Sequence, residues 1–406
     1  MKNKLLVLVL ALMLVTSLVI AGCIPAAAPV EPVGPIKIGA LVPVTGDLSH
    51  WGEGVVAGLE FGFAEVGWEI AGRPIELIVE DDESWDEVMA LTKARKLVEV
   101  DGVSILMGPI ASSSFLGTGT YIDVTKTPTL GLCYRGEFET WEEPTWNFSA
   151  HGAIAQRGYA LGQYAYEVLG FRTATTMGAD YETGYQGTGS FSDGFYDAGG
   201  SVIQQQWAPP TEMEWGPYNA VVEDADCMAV LQYGATMLSY VKSWYEFGFW
   251  DKQPLLLVSP CSVFEKDLAE FGDWTVGLYS ATSYVNTLDT PANKKFVADY
   301  KAMYGRQPIF PDIWGYVSAL WALHMLEETG GDTTNYALRD ALLDSTLETP
   351  IGPITFHGDE GWTTIPMYII QAQQVGGEMV WQVVETYPEF GKAKYYTKMP
   401  PGTWKR

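Results

Sequence analysis

Three short segments carry side chains able to grip a small polar ligand. Ser112, Ser113 and Ser114 form a hydroxyl run directly after the apolar segment 103–109. Hydroxyls and backbone N–H groups at a helix start suit a carboxylate or carbonyl oxygen, and the same serines equally serve as a plain helix cap. Arg135, in Cys133-Tyr134-Arg135, offers a planar, two-pronged clamp for a carboxylate. Its competing use is a surface ion pair with Glu137, Glu139, Glu142 or Glu143. Trp51 supplies either a flat apolar wall with a single donor or core packing under its loop.

No complete catalytic constellation accompanies these residues. The chain contains no G-x-S-x-G elbow, P-loop or H-E-x-x-H motif. The glycines at 184, 187 and 189 stand in the wrong order for a dinucleotide fingerprint. His50, His151, His324 and His357 are scattered, and the cysteine spacing matches no zinc pattern. Neither a metal nor a cofactor is expected. A hydrolase built on Ser112–Ser114 with His151 is an outlying alternative.

The elements that must position these residues alternate. An apolar, β-branched strand over 36–44 precedes a glycine-containing loop, 45–52, and a helix over 53–66 with Val55, Val56, Leu59, Phe63 and Val66 at helical spacing. Strands follow at 76–82, 103–109 and 128–132, with a helix over 85–100. A second series begins near His151. Helices are expected at 153–169, 187–198 and 237–248, and strands at 173–180, 201–207, 227–234, 254–259 and 276–284. Three helices come next, 291–304, 312–329 and 336–343. Strands 366–375 and 379–386 then flank Gly376-Gly377 as a hairpin. Repeated strand–helix units predict an α/β chain of two doubly wound, parallel-sheet lobes. Ligands of such sheets sit beyond the carboxyl ends of the strands. The loops to watch are 45–52, 109–114, 132–139, 180–187, 233–237 and 259–264.

With 406 residues, 47% of them hydrophobic, the chain is long enough for two full cores. The net charge of −26 excludes nucleic acid as a partner and disfavours a body lying on anionic lipid. Lys2 and Lys4 precede an apolar stretch, 5–19, that ends in Ile20-Ala21-Gly22-Cys23. That order reads as a secretory signal over residues 1–22. With Cys23 at the first mature position, it resembles the bacterial lipoprotein signal, which implies an acylated Cys23 tethering the protein outside the cytoplasm. No later apolar run approaches the ~20 residues that span a bilayer. The Pro- and Ala-rich segment 24–35 reads as a linker. Cys133, Cys227 and Cys261 are expected to act as small apolar residues.

Several stretches in order carry a wider resemblance: IKIGALVPVTGDLSHWGEGVVAGLEFGFAEV, GRPIELIVEDDESW, ILMGPIASSSF, KTPTLGL, GADYETGYQGTGSFSDGFYDAGGSVI and IFPDIWGYVSALWALHMLEETGG. Together they resemble the type I periplasmic binding proteins of ABC transporters, in the branched-chain amino acid and amide branch. The resemblance covers roughly residues 36–390. It implies two lobes joined by a three-strand hinge, with crossovers near 150–155, 280–285 and 350–356. The N-terminal lobe would comprise 36–152 and 284–352, the C-terminal lobe 153–283 and 353–390, and the tail 391–406. A small ligand would be closed between the lobes and passed to an ABC transporter permease, or presented to a receptor by a sensor of the same fold. Enzymatic activity is not implied.

The same resemblance places ligand contacts at Trp51, Ala111, Ser112, Ser113, Cys133, Tyr134, Arg135, Tyr181, Tyr233 and Cys261, with Tyr185 as the alternative to Tyr181. Two positions depart from the amino-acid-binding pattern. Arg135 stands where relatives carry a small hydroxyl residue. Cys261 stands where they carry the acid that pairs with the ligand's ammonium, and Glu265 lies four residues on. The disulfide of relatives is missing as well, its positions falling near 83–84 and at Ala111. A carboxylate or an amide is therefore expected in place of a branched-chain amino acid, because a buried ammonium without a partner is costly.

Overall fold

The strands of the first sheet are buried at its centre and partly exposed at one edge. In the computed structural model, which describes residues 34–131, 146–260, 262–358 and 362–391, they are β1 (Ile36–Val42), β2 (Glu69–Ile70), β3 (Arg73–Asp81), β4 (Ile105–Met107), β5 (Thr129–Gly131) and β6 (Asn147–Ser149). The buried part is β1 and β4 to β6, and the partly exposed edge is β2 and β3. Their order is β2-β3-β1-β4-β5-β6. All neighbours are parallel except the β2–β3 hairpin. Helices α1 (Ser49–Glu65), α2 (Glu87–Arg95) and α3 (Ser112–Thr125) connect them. Of the two units into which the chain divides, Met1–Pro35 and Ile36–Arg406, the fold described here is the second.

The second sheet holds β7 (Thr173–Ala179), β8 (Ser201–Ala208), β9 (Cys227–Leu231), β10 (Leu255–Leu257), β11 (Tyr279–Thr282), β12 (Thr346–Thr349), β13 (Gly352–His357), β14 (Trp362–Val375) and β15 (Glu378–Phe390). Its order is β12-β13-β14-β11-β10-β9-β7-β8, with β15 paired to β14. Only the part from β11 to β8 is parallel. The pairings β11–β14, β13–β14, β12–β13 and β14–β15 are antiparallel, so the expected hairpin at Gly376-Gly377 is present and the antiparallel part extends beyond it to β11, β12 and β13. The antiparallel part follows from short connections. Gly376 and Gly377, at φ of 62° and 90°, make a tight hairpin, and no crossover helix lies between β14 and β15. Helices α4 (Ile154–Glu167), α5 (Glu182–Ala198), α6 (Gly216–Asn219), α7 (Gly234–Glu246) and α8 (Glu265–Phe271) belong to this series.

After β11 the chain forms α9 (Pro291–Tyr304), α10 (Phe310–Glu328) and α11 (Asn335–Leu342) before β12. Helix α10 packs back on α1 of the first lobe at close range. A Cβ on Gly58 would stand 2.0 Å from the Asp312 carbonyl, and one on Gly315 would stand 2.0 Å from that of Val55. Glycine is needed at both positions because the two backbones nearly touch. The start of α10 is fixed by Asp312, which is fully buried. Its carboxylate accepts from the Ile309 amide at 2.7 Å and from both terminal nitrogens of Arg306 at 2.6 and 2.8 Å.

Helix starts and ends differ from the sequence expectations in ways with local causes. Helix α1 begins at Ser49, earlier than 53, and α5 begins at Glu182, earlier than 187. Both draw their first turn from segments read as loop. The helix expected over 85–100 is split into α2, capped by the Asp86 carboxylate on the amides of Val88 and Met89, and a wider π-helical turn, Lys96–Asp101. The Lys96 ammonium bridges Glu80 at 2.6 Å and Asp101 at 2.9 Å across that turn.

Candidate functional site

The parallel part of each sheet has a place where the chain's crossovers switch direction, and such places are where an open α/β sheet leaves a crevice for ligand. In the first sheet the switch lies between β1 and β4, and in the second between β7 and β9. Trp51 and Ser112 follow β1 and β4. Tyr181 and Tyr233 follow β7 and β9. These four residues line one cavity of about 590 Å³.

The first-lobe wall consists of Leu48, Trp51, Trp85, Ile110, Ala111, Ser112 and Trp314. Its loops are tied down by the end of β3. Burial works against ionisation of Asp81, but hydrogen bonds from the Thr45 hydroxyl and the amides of Glu83, Val44 and Thr45 hold its carboxyl below the usual range. The Ser84 hydroxyl accepts from the Leu48 amide at 3.2 Å and donates to the Thr45 carbonyl at 2.8 Å. Trp51 is only 4% exposed, with its ring centroid 5.2 Å from that of Trp314 and 5.9 Å from that of Phe310. The two uses weighed for Trp51 therefore coexist: it packs into the core and walls the cavity. The indole nitrogens of Trp51 and Trp314 and the hydroxyl of Ser112 are buried and have no hydrogen-bond partner among the described residues. Ser112 opens α3 without capping it.

The second-lobe wall consists of Ile154, Arg157, Tyr181, Thr183, Gln186 and Tyr233. Arg157, on α4, is 2% exposed. Its guanidinium lies 4.8 Å from the Phe310 ring centroid and 5.2 Å from that of Trp314, and it donates to the Ser259 hydroxyl at 3.3 Å. His151 stacks on Trp314 with centroids 5.0 Å apart. Burial and the positive charge of Arg157 push the His151 imidazole well below its ordinary range, so it is neutral. The neutral ring shares a hydrogen bond with Ser318 at 3.2 Å. Edge-to-face contacts run from Trp85 to Tyr181 at 5.5 Å and on to Tyr233 at 5.6 Å, joining the two walls.

Of the ligand contacts expected from sequence, Trp51, Ala111, Ser112, Tyr181 and Tyr233 come together here. Ser113 is half-buried beside the cavity and does not line it. Cys133, Tyr134, Arg135 and Cys261 lie outside the described residues, as does Cys23. Tyr185, the alternative to Tyr181, turns away; its hydroxyl donates to Asp180 and its ring packs on Trp207. Cys227 is buried, and burial pushes its thiol up. Sequence reasoning missed Trp85, Arg157, Gln186 and Trp314. Arg157 did carry a signal: it is the one charged residue between His151 and Glu167, within an otherwise apolar or small helix face. Among the described residues no acidic side chain lines the cavity, and no three metal-binding side chains cluster.

The sequence pattern of the periplasmic binding proteins matches residues 35–377. The chain belongs to that family. A Leu/Ile/Val-binding protein homolog 6 of Brucella melitensis is 24% identical to this periplasmic binding protein over 355 residues, 82% of this chain and 86% of its own. The solved ABC transporter substrate-binding protein from Sphaerobacter thermophilus superposes with a TM-score of 0.81 at 28% identity, covering 88% of this chain and 98% of its own. A solute-binding protein of an ABC transporter from Rhodopseudomonas palustris, solved with 3,4-dihydroxybenzoic acid, superposes equally well, with a TM-score of 0.81, 23% identity and the same coverage. No helix among the described residues is long and apolar enough to cross a membrane.

Proposed function

We propose that this periplasmic binding protein captures an aromatic carboxylate of the hydroxybenzoate class between its lobes and delivers it to an ABC transporter permease. One observation carries the ligand class: Arg157 brings a positive charge to an aromatic-walled cavity that no described acid lines. The guanidinium suits a carboxylate. The indole and tyrosine rings suit a flat ring, and the donors on Ser112, Trp51 and Trp314 suit further oxygens. An α-amino acid would bring an ammonium that no lining acid among the described residues meets, at a cost of several kcal/mol. The dihydroxybenzoate in the Rhodopseudomonas palustris relative supports the same class.

The lobes of this proposal comprise 36–152 with 284–352, and 153–283 with 353–390. The packing of α10 on α1 supports that division. Phe356 of β13, just past the proposed crossover at 352–353, still packs on Phe148 and Trp321 of the first lobe. The lobes close on the ligand by hinge bending, because a ligand held by Ser112 on one side and Arg157 on the other bridges both only when closed. Cys23 anchors the mature protein to the membrane through lipid, supported by the basic, apolar and small-residue order of residues 2–23. Titration with 4-hydroxybenzoate tests the ligand, and X-ray scattering with and without it tests closure. Fractionation of a Cys23→Ser variant tests the anchor, which predicts release from the membrane.

A further inference from the structure

A second cavity, of about 280 Å³, is lined in part by Phe310, the ring on which the Arg157 guanidinium stacks at 4.8 Å. It has the opposite chemistry. Four aromatic side chains wall it, Phe264, Tyr284, Phe310 and Trp381, and its one ionisable acid is Glu265. No lysine, arginine or histidine lines it among the described residues. The walls are held in place. Trp381 is 2% exposed and donates through its indole nitrogen to the Val263 carbonyl at 2.8 Å. The Phe264 amide donates to Asp267 at 2.8 Å at the head of α8.

Two groups in this cavity lack partners. The Tyr284 hydroxyl is buried and makes no hydrogen bond among the described residues, although the residue is only 2% exposed. Glu265 is half-buried and has no ion-pair partner among them. A carboxylate withdrawn from water without a cation is unfavourable. Aromatic faces attract a cation through their quadrupoles, most strongly when it is desolvated.

We infer that this cavity is a second binding site, for a small organic cation of the methylated ammonium class. The wall offers π-faces and one negative charge, with few hydrogen-bond acceptors. A primary ammonium or a bare metal ion needs more oxygen ligands than the Tyr284 hydroxyl, Asn286 and Glu265 provide. A methylated ammonium needs none, because its charge is spread over methyl groups that pack against rings. The site shares no lining residue with the anion-binding cavity. The two approach at Phe310, which lines the second and carries over its ring the guanidinium of Arg157, which lines the first.

The test is calorimetric titration of the full-length protein, in mild detergent, with tetramethylammonium chloride. Sodium chloride at matched ionic strength and neutral tert-butanol, a near-isostere of tetramethylammonium, are the controls. Expected is saturable one-to-one binding of tetramethylammonium, unaltered by saturating 4-hydroxybenzoate, with no binding of the neutral isostere. Glu265→Gln should weaken it at least tenfold, and Phe264→Leu, which keeps the carboxylate and removes one ring, severalfold. Unfolding temperatures of both variants verify that they are folded. Absence of saturable binding, equal binding of the neutral isostere, or unchanged affinity in a folded Glu265→Gln protein overturns the inference. So does displacement of tetramethylammonium by 4-hydroxybenzoate, which would put the cation in the first cavity. Failure of 4-hydroxybenzoate to bind, with the tetramethylammonium response intact, would count against the proposed transport ligand alone.

Discussion

Arg157 of the second lobe stands with its guanidinium 5.2 Å from the ring of Trp314 on α10, the helix that packs against the first lobe. A buried cation is thus held across the cleft by an aromatic face. The same indole ring stacks with the neutral imidazole of His151, 5.0 Å away. The arrangement places positive charge where a ligand would touch both lobes.

Replacing Arg157 with Gln should remove the charge-assisted bonds to a carboxylate, each typically worth about 1.5–3 kcal/mol. Affinity for 4-hydroxybenzoate should fall about 10- to 100-fold. Arg157→Lys should restore little of it, because an ammonium lacks the planar fork and stacks poorly. Isothermal titration of both variants checks this; wild-type affinity in Arg157→Gln would move the carboxylate elsewhere.

Trp85 and Tyr181 meet edge to face across the cleft at 5.5 Å. Trp85→Leu should lose that contact, worth about 0.5–1.5 kcal/mol beyond area burial. Ligand affinity should drop severalfold, while unfolding in urea changes little because Trp85 is only half-buried. Scattering should show a smaller ligand-induced compaction than in the wild type.

Asp312→Ala should act on stability and on the site together. It removes the cap of α10 and the partner of Arg306, from a position that is fully buried. A loss of roughly 2–4 kcal/mol is expected from the combined cap and ion-pair effects. Urea unfolding measures the stability loss. Weaker 4-hydroxybenzoate binding at concentrations where the variant is folded would show that Phe310 and Trp314 have shifted with the helix.

Asp82 gives a pH dependence with a definite sign. It is fully buried, one carboxylate oxygen has no partner among the described residues, and burial pushes its carboxyl up to about 6. Its folded value thus lies above the unfolded one, so the unfolded chain ionises first as pH rises. The contribution of Asp82 to stability is unaffected below about pH 4, worsens between about pH 4 and 6, and then levels off, a total of about 2–3 kcal/mol. Asp82→Asn should abolish that component. The difference in unfolding free energy between wild type and variant, followed from pH 4 to 7.5, reads it directly, and a flat difference would refute it.

Much of the fold was legible because strand–helix alternation is written in local periodicity. The loops that hold Trp51, Ser112, Tyr181 and Tyr233 followed, since strand ends set the mouth of such sheets, while the choice of Tyr181 and Tyr233 within them came from the family resemblance. Trp314 was hidden for the complementary reason, and Arg157 showed only as the one charged residue between His151 and Glu167, which marks it as unusual without placing it in the cavity. Both lie inside helices, and they face the cavity only because α4 and α10 pack as they do, which no local pattern specifies. Trp85 follows a turn in which Glu83 and Ser84 adopt φ of 53° and 72°, a reversal that apolar periodicity does not register. The antiparallel extension of the second sheet was legible only at its glycine hairpin. Strands β12 and β13 are short, with alternation limited to Ile354-Thr355-Phe356-His357, and their place in the sheet comes from the pairing of β13 with β14 and of β12 with β13.

The charge of the main cavity is the central claim, and one titration series tests it most directly. The wild-type protein is titrated with 4-hydroxybenzoate, with neutral 4-hydroxybenzyl alcohol and with leucine under identical conditions. Saturable one-to-one binding of 4-hydroxybenzoate, with at least tenfold weaker binding of the alcohol and no binding of leucine, is the predicted result. Tight binding of leucine with no response to 4-hydroxybenzoate would contradict it.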